Sequence, residues 1–161
     1  MSILFLDFDG VLNNTTFTKS VRPLQEGETA VDFDVKRLDP KAIKLLNQIV
    51  RATRCIVIVS STWRVNNNRH YLHWLLVSLG FDGYVWGCTP HMPESNRSEE
   101  IKVGLEWLVK DGFDVSNYVI LDDSEITGHE GHLVRTSEHT GLTEADVAKA
   151  IDILGPYNAS S

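Results

Sequence analysis

The sequence lacks the marks of a secreted or membrane-bound protein. It contains two cysteines, Cys55 and Cys88, whose positions fit neither a disulfide framework nor a zinc-ligand motif. No apolar run is long enough to span a bilayer. The apolar start is too short for a signal peptide, and Asp7 and Asp9 interrupt it. We therefore expect a cytoplasmic globular protein without a membrane partner.

Net positive charge is lacking as well. The 161 residues carry a formal net charge of -7, which argues against broad, non-specific binding of nucleic acid. The charge is unevenly spread, because residues 35–70 contain eight basic residues and a single acidic one, Asp39. Two interpretations of this basic stretch stay open. A solvated helix face is the favoured one, and a basic lip beside an anionic substrate is the alternative.

Short apolar runs and amphipathic stretches alternate along the chain. The former are typical of strands buried on both faces of a parallel sheet, and the latter of helices packed on it. The pattern predicts strands at 3–6, 56–59, 84–86, 118–121 and 132–134, and helices beginning after Asp39, near Arg69, after Ser95 and after Thr143. This alternation predicts an α/β, Rossmann-like three-layer sandwich with a mostly parallel sheet. We expect one domain over 1–156, a flexible tail over 157–161, and a polar, irregular segment over 13–33.

Polar side chains stand where three of the predicted strands end. Asp7 follows the first strand, Ser60 the second and Asp122 the strand at 118–121. Because ligands of open α/β sheets bind at the carboxyl ends of the strands, we expect these side chains to converge. Asp9 and Asp123 add two more carboxylates close by. So many negative charges require a positive partner, and a hard divalent cation such as Mg²⁺ suits oxygen ligands.

The same strand ends carry the motifs of a known superfamily. The run LDFDGVL over 6–12 resembles the first motif of haloacid dehalogenase-like (HAD) hydrolases. The run IVIVS over 56–60 resembles their second motif, and VILDD over 119–123 resembles their fourth motif in its double-Asp form. The resemblance covers nearly the whole chain with the motifs in order. More narrowly, residues 60–64 and 97–101 are similar to small phage and bacterial members grouped with the HAD domains of RNA-repair proteins.

The resemblance and the chemistry of the residue types agree on the roles of the acidic residues. Asp7 is expected to attack phosphorus and form an aspartyl-phosphate. Asp9 is expected to protonate the leaving oxygen and then to deprotonate the hydrolytic water. Mg²⁺ is expected to bind Asp7, the backbone carbonyl of Asp9 and Asp122. Asp123 is expected either to hold a metal-bound water or to support the residues that bind the metal directly. Gly10 lets the chain turn sharply and expose its amides to the substrate.

The residues expected to bind the phosphoryl group are less uniquely specified. Ser60 is expected to donate a hydrogen bond to a phosphoryl oxygen. The cation of the third motif has two candidates, Arg97 and Lys102, of which Arg97 is preferred because a guanidinium grips two oxygens at once. Ser61 and Arg64 are expected either to contact phosphate or substrate, or to serve as a helix cap and a surface residue.

These expectations define a function and its rivals. With no large cap domain, the site is expected to be open to a large phosphorylated substrate, such as a nucleic-acid end or a phosphoprotein, and also to small phosphate esters. The leading hypothesis is a magnesium-dependent phosphohydrolase that acts on phosphomonoesters, with a nucleotide or polynucleotide end as the narrower expectation. The alternatives are a small-molecule nucleotidase and a non-catalytic binding module that keeps the HAD fold. Retention of Asp7, Asp9 and Asp122 weighs against the binding module.

Overall fold

Five short runs of aliphatic residues form the sheet of the protein. In the computed structural model, which describes residues 1–159, all of its neighbouring strands pair in parallel, in the order β3-β2-β1-β4-β5. The strands are β1 (Ile3–Leu6), β2 (Ile56–Val59), β3 (Val85–Cys88), β4 (Tyr118–Asp122) and β5 (Leu133–Arg135). The central strands β1 and β2 are fully buried, as their uninterrupted apolar sequences require. The predicted α/β fold with a parallel sheet is therefore confirmed.

Helices cover both faces of this sheet. They are α1 (Thr15–Ser20), α2 (Ala30–Arg37), α3 (Pro40–Thr53), α4 (Arg69–Ser78), α5 (Arg97–Lys110) and α6 (Glu144–Leu154), with a short 3₁₀ helix at Thr62–Val65. On one face, α3, α4 and α6 pack on Leu4 and Leu6 of β1. On the other face, α5 packs on Ile3 and Phe5. Because successive side chains alternate between the faces, Asp7 follows Phe5 toward the α5 side.

The prediction that 13–33 is irregular is wrong in part. The segment contains α1 and the beginning of α2, and each helix starts at a residue that caps it. The Asn14 side chain accepts a hydrogen bond from the Phe17 amide, and Thr29 forms a capping box with Asp32. Helix α2 also contacts α4, where the Tyr71 hydroxyl donates to Asp34 at 2.8 Å. The segment is thus a small helical flap, and the described residues contain no large cap domain, as predicted.

The ends of the described chain add two observations. The backbone N–H of Tyr157, the first residue of the predicted tail, donates to the Ala52 carbonyl at 2.8 Å. The last two residues of that tail, 160 and 161, lie outside the described residues.

Among the described helices, none combines the length and the apolar character needed to cross a membrane.

Candidate active site

The parallel register brings the predicted site residues side by side. Leu6 pairs with Val59 on one side and with Leu121 on the other, so the next residues, Asp7, Ser60 and Asp122, form a row. The backbone continues the ladder there, because Asp7 donates to the Leu121 carbonyl at 3.0 Å and Ser60 donates to the Leu6 carbonyl at 2.8 Å. The three residues therefore lie side by side at the carboxyl edge of the sheet, as the sequence predicted.

Three carboxylates meet at this edge. Asp7, Asp122 and Asp123 each offer an oxygen atom, and these oxygens lie within 4.8 Å of one another. Asp7 and Asp122 are almost completely buried. Gly10 makes room for the third carboxylate, since a Cβ added at Gly10 would overlap the carboxylate of Asp123. Its φ of +78° also favours glycine.

Arg97 is the cation of this cluster. Its Nη1 atom donates to Asp122 Oδ2 at 2.7 Å and lies 3.4 Å from Asp7 Oδ2. Arg97 is the first residue of α5, directly after the N-cap Asn96, which places it at the carboxyl edge of the sheet. Lys102, the competing candidate, lies more than one turn further along α5 and is exposed. Geometry therefore favours Arg97 for the third-motif position.

Burial dominates the electrostatics of the cluster. It raises the pKa of Asp7 to about 7, and the neighbouring negative charge of Asp122 adds to this effect. Arg97, a hydrogen bond from Ser61 and the backbone N–H of Phe8 pull the pKa of Asp7 in the opposite direction. Burial likewise raises the pKa of Asp122 above its usual range, against the influence of Arg97. Burial thus outweighs the Arg97 guanidinium at both carboxyl groups, so each of them has a pKa above that of a free aspartate.

The donor set fits a hard divalent cation. Three carboxylates facing one guanidinium carry two uncompensated negative charges when ionised. The ligand atoms are all oxygens, which Mg²⁺ prefers. Asp9 is different, because its side chain is not part of this three-carboxylate cluster. For Asp9, metal binding through the backbone carbonyl stays a prediction.

Buried hydroxyl groups extend the row on the other side of Asp7. Ser61 is completely buried and lowers the pKa of Asp7. Its hydroxyl caps the 3₁₀ helix by accepting a hydrogen bond from the Trp63 amide at 3.4 Å. Ser60 is also buried, yet its Oγ atom has no hydrogen-bond partner within the described residues. Thr89, which follows β3 and donates its backbone N–H to Val59, has a second such unpartnered hydroxyl. Buried hydroxyls without a partner are rare, and at Ser60 a phosphoryl oxygen would supply one.

Arg64 corrects one part of the predicted site. Its side chain is 4% exposed and forms an ion pair with Glu100 at 2.5 Å. The remaining hydrogen bonds of its guanidinium go to the backbone carbonyls of Ser61, Thr89 and Pro90. Arg64 is therefore not a surface residue, and its guanidinium is engaged by these protein groups rather than directed at the phosphate site. Arg64 instead ties the loops after β2 and β3 to helix α5, which carries Arg97.

Asp9 is held at the rim of the site by residues that the sequence did not reveal. Its Oδ1 atom accepts a hydrogen bond from Asn13 at 2.8 Å, and its Oδ2 atom accepts one from the Trp63 indole at 3.1 Å. The side-chain Oδ1 atom of Asn13 in turn accepts a hydrogen bond from the Gly10 amide at 3.0 Å. About half of the Asp9 side chain is exposed. The carboxylate is therefore fixed in orientation while it stays open to a ligand.

The basic stretch is not one continuous surface. Arg51 pairs with Asp82 and Lys36 pairs with Glu28. Arg54 ends α3 just before β2 begins, so it lies at the amino edge of the sheet, away from the site. Arg37 is the member that approaches the site, with its Nη2 atom 3.8 Å from Asp9. The solvated-surface interpretation thus describes most of the stretch, and the exceptions are Arg64, which is buried against Glu100, and Arg37.

Comparison with known proteins agrees with this architecture. Residues 3–147 match the model of the family described as the HAD domain in Swiss Army Knife RNA repair proteins. The match includes every strand and all four motif regions. Neither the curated proteins nor the solved structures gave a significant match. Since the family model covers most of the sequence, the chain belongs to the HAD superfamily, as an HAD domain of the type found in Swiss Army Knife RNA repair proteins.

Proposed function

We propose that this domain is a magnesium-dependent phosphomonoesterase that works through an aspartyl-phosphate on Asp7. The observation that carries the proposal is the contact of Arg97 with both Asp7 and Asp122 at the carboxyl edge of the sheet. Membership of the HAD superfamily supports phosphohydrolase chemistry in general. Asp7, Asp122, Asp123 and the backbone carbonyl of Asp9 would hold Mg²⁺, which when bound supplies positive charge to the reacting phosphoryl group.

Asp7 is the proposed nucleophile. Its Oδ1 atom accepts from the Phe8 amide at 2.8 Å, and Arg97 lies against Oδ2. These contacts fix the carboxylate, so that one oxygen attacks phosphorus in line with the departing alcohol. The negative charge that develops on the phosphoryl oxygens meets the Arg97 guanidinium and the free Ser60 hydroxyl.

Asp9 is the proposed general acid and general base. It stands two residues after Asp7, and its half-exposed carboxylate faces the opening of the site. In the first step it gives a proton to the leaving oxygen, and in the second it takes one from the water that attacks the phosphorylated Asp7. Asn13 and Trp63 keep the carboxylate in position for both steps.

The substrate is proposed to be a nucleotide or polynucleotide end. The RNA-repair character of the family supports this choice, and so does the open rim with Arg37 beside Asp9. A salt series tests it, because release of counterions makes binding of a polyanion fall steeply with salt concentration. We expect activity on an oligonucleotide phosphate to fall more steeply with salt than activity on a small ester. Equal salt dependence would contradict the polynucleotide substrate.

The test of the proposed activity is a phosphatase screen with and without Mg²⁺. It uses an aryl phosphate, nucleoside monophosphates, and oligonucleotides phosphorylated at the 5′ or the 3′ end. We expect Mg²⁺-dependent release of phosphate by the wild type, and none above background by Asp7→Asn, whose amide is nearly isosteric. Inactivity of the folded wild type on every ester would contradict the proposal and favour a binding module. Preference for free nucleotides over oligonucleotides would favour a nucleotidase.

A further inference from the structure

A polar cavity opens beside Asp9, outside the three-carboxylate cluster. It measures about 300 Å³ and lies between α2 and the 3₁₀ helix. Every residue that lines it has a side chain capable of hydrogen bonding, among them Asp34, Arg37, Asn66 and Asn67. If Asp9 acts on the leaving oxygen, as proposed above, this cavity offers room for the rest of the leaving group. Asp9 also borders a smaller cavity, but that one is lined by the acidic residues Asp123 and Glu138 and by no basic residue.

Arg37 is the unusual member of the lining. Its guanidinium carbon lies 4.6 Å from the centre of the Trp63 ring and 5.2 Å from that of the Phe33 ring. These aromatic contacts hold a cation that is only one-third exposed. Within the described residues, however, no hydrogen bond engages its N–H groups. A guanidinium has five donors, so this one is held in place with its donors available.

Arg37 is not needed to orient the Asp9 carboxylate. The distance of 3.8 Å between Arg37 and Asp9 is too long for a hydrogen bond. Both Asp9 oxygens already accept hydrogen bonds, from Asn13 and from Trp63. A partly buried cation with free donors, next to the point where the leaving group departs, instead suits an anion on that leaving group.

From this arrangement we infer that the cavity is a leaving-group subsite in which Arg37 binds an anionic group, the phosphodiester that follows the terminal phosphate of a polynucleotide. The inference rests on the proposed phosphatase function and narrows its substrate. A nucleoside monophosphate has no such second anion, whereas the phosphorylated end of a dinucleotide or longer strand has one. Arg37 would therefore distinguish polynucleotide ends from free nucleotides.

The test compares two substrates that carry the phosphate on the same nucleoside hydroxyl and differ only in whether a phosphodiester follows. One substrate is a nucleoside monophosphate, and the other is the dinucleotide with its phosphate on the same terminal hydroxyl, prepared for both 5′ and 3′ ends. Arg37→Gln removes the charge and leaves a shorter, polar side chain. We expect its loss in kcat/KM to be at least about tenfold greater on the dinucleotide than on the mononucleotide, mainly through KM. Lys41→Gln is the matched control, because Lys41 is exposed on the next helix and changes net charge equally.

The outcomes separate the inference from the function on which it rests. A Lys41→Gln variant that keeps the wild-type ratio between the two substrates would support a specific contact of Arg37. Equal losses on both substrates in Arg37→Gln would overturn the inference and leave the phosphatase function in place. Absence of turnover by the wild type on both substrates and on an aryl phosphate would overturn the function itself, and the inference with it.

Discussion

The α-carbon of Gly10 faces the carboxylate of Asp123 so closely that a methyl group added there would occupy the same space. Gly10 also has a φ of +78°, a backbone conformation that residues with a side chain rarely adopt. One position thus satisfies two requirements at once. The chain turns directly after Asp9, and a carboxylate from the end of β4 comes next to that turn.

Replacing this glycine should impair metal binding more than folding. In Gly10→Ala, the new methyl group displaces Asp123, so we expect at least about a tenfold loss in Mg²⁺ affinity. The strained backbone should also lower the free energy of unfolding by about 1 kcal/mol. Gly27→Ala is the matched control, since Gly27 has a φ of +86° and nothing within 4 Å of an added Cβ. Similar losses of Mg²⁺ affinity in both variants would contradict the role assigned to Gly10.

The assignment of Arg97 over Lys102 is open to a direct comparison. Arg97 contacts both Asp7 and Asp122, whereas Lys102 is exposed. Arg97→Ala should lower kcat about 100-fold or more, because a charge clamp on the transition state contributes about 3 kcal/mol. Lys102→Ala should retain near-normal turnover. Steady-state kinetics on one aryl phosphate at saturating Mg²⁺ checks both, and the reverse pattern would transfer the third-motif role to Lys102.

The raised pKa of Asp7 predicts a pH-dependent stability of the metal-free protein. An unfolded aspartate titrates near about 4, and burial raises the pKa of Asp7 in the fold to about 7. Between these values the folded state binds more protons than the unfolded state, so this carboxyl makes stability fall as pH rises. Asp7→Asn lacks the effect. Its stability advantage over the wild type should therefore be small at pH 4 and reach about 2–4 kcal/mol above pH 7.

Denaturant unfolding in the presence of a chelator measures this difference at each pH. The wild type and Asp7→Asn share every other titrating group, so acid denaturation common to both cancels, apart from Asp122, whose charge interacts with that of Asp7. An advantage of Asp7→Asn that stayed constant from pH 4 to pH 8 would mean that Asp7 is ionised throughout. The desolvation argument for a divalent cation would then fail.

Arg64 should matter for stability because of its buried partner. Arg64→Ala leaves Glu100 buried without its cation, which should cost about 3–5 kcal/mol of the free energy of unfolding. The control is Arg51→Ala, which breaks an exposed pair with Asp82 and should cost less than about 1 kcal/mol. Thermal or denaturant unfolding compares the two. Equal, small losses would indicate that the Arg64 pair is solvated, contrary to its burial.

The fold was predictable because its main signals are local. Apolar runs ending at Leu6, Val59 and Leu121 specify buried parallel strands, and the register follows once those runs pair. Asp39 before Pro40 marks the beginning of α3 without any knowledge of tertiary structure. The segment that contains α1 and the start of α2 was predicted to be irregular because its composition is polar. The local signals for these helices are weak: the capping residues Asn14 and Thr29, and charged residues in their end turns.

The site residues that directly follow apolar strands were predictable, because the strands are local signals. Asp7, Ser60 and Asp122 are marked by the strands that precede them. The environments of Arg37, Trp63 and Arg64 depend on packing between segments far apart in the chain. Trp63, for example, donates a hydrogen bond to Asp9, which lies 54 positions earlier in the sequence. A sequence pattern does not reveal that Arg64 meets Glu100 in the interior. Asn13, four residues after Asp9, is the exception that spacing could have suggested.

The central claim is that Asp7 is phosphorylated and then hydrolysed, and the stereochemistry at phosphorus tests it most directly. A phosphate ester made chiral with oxygen isotopes and thio substitution is turned over once by the Mg²⁺-loaded wild type. Attack by Asp7 followed by attack of water gives two in-line displacements, so we predict net retention of configuration. Net inversion would mean that water attacks the substrate in a single step and that Asp7 is not the nucleophile.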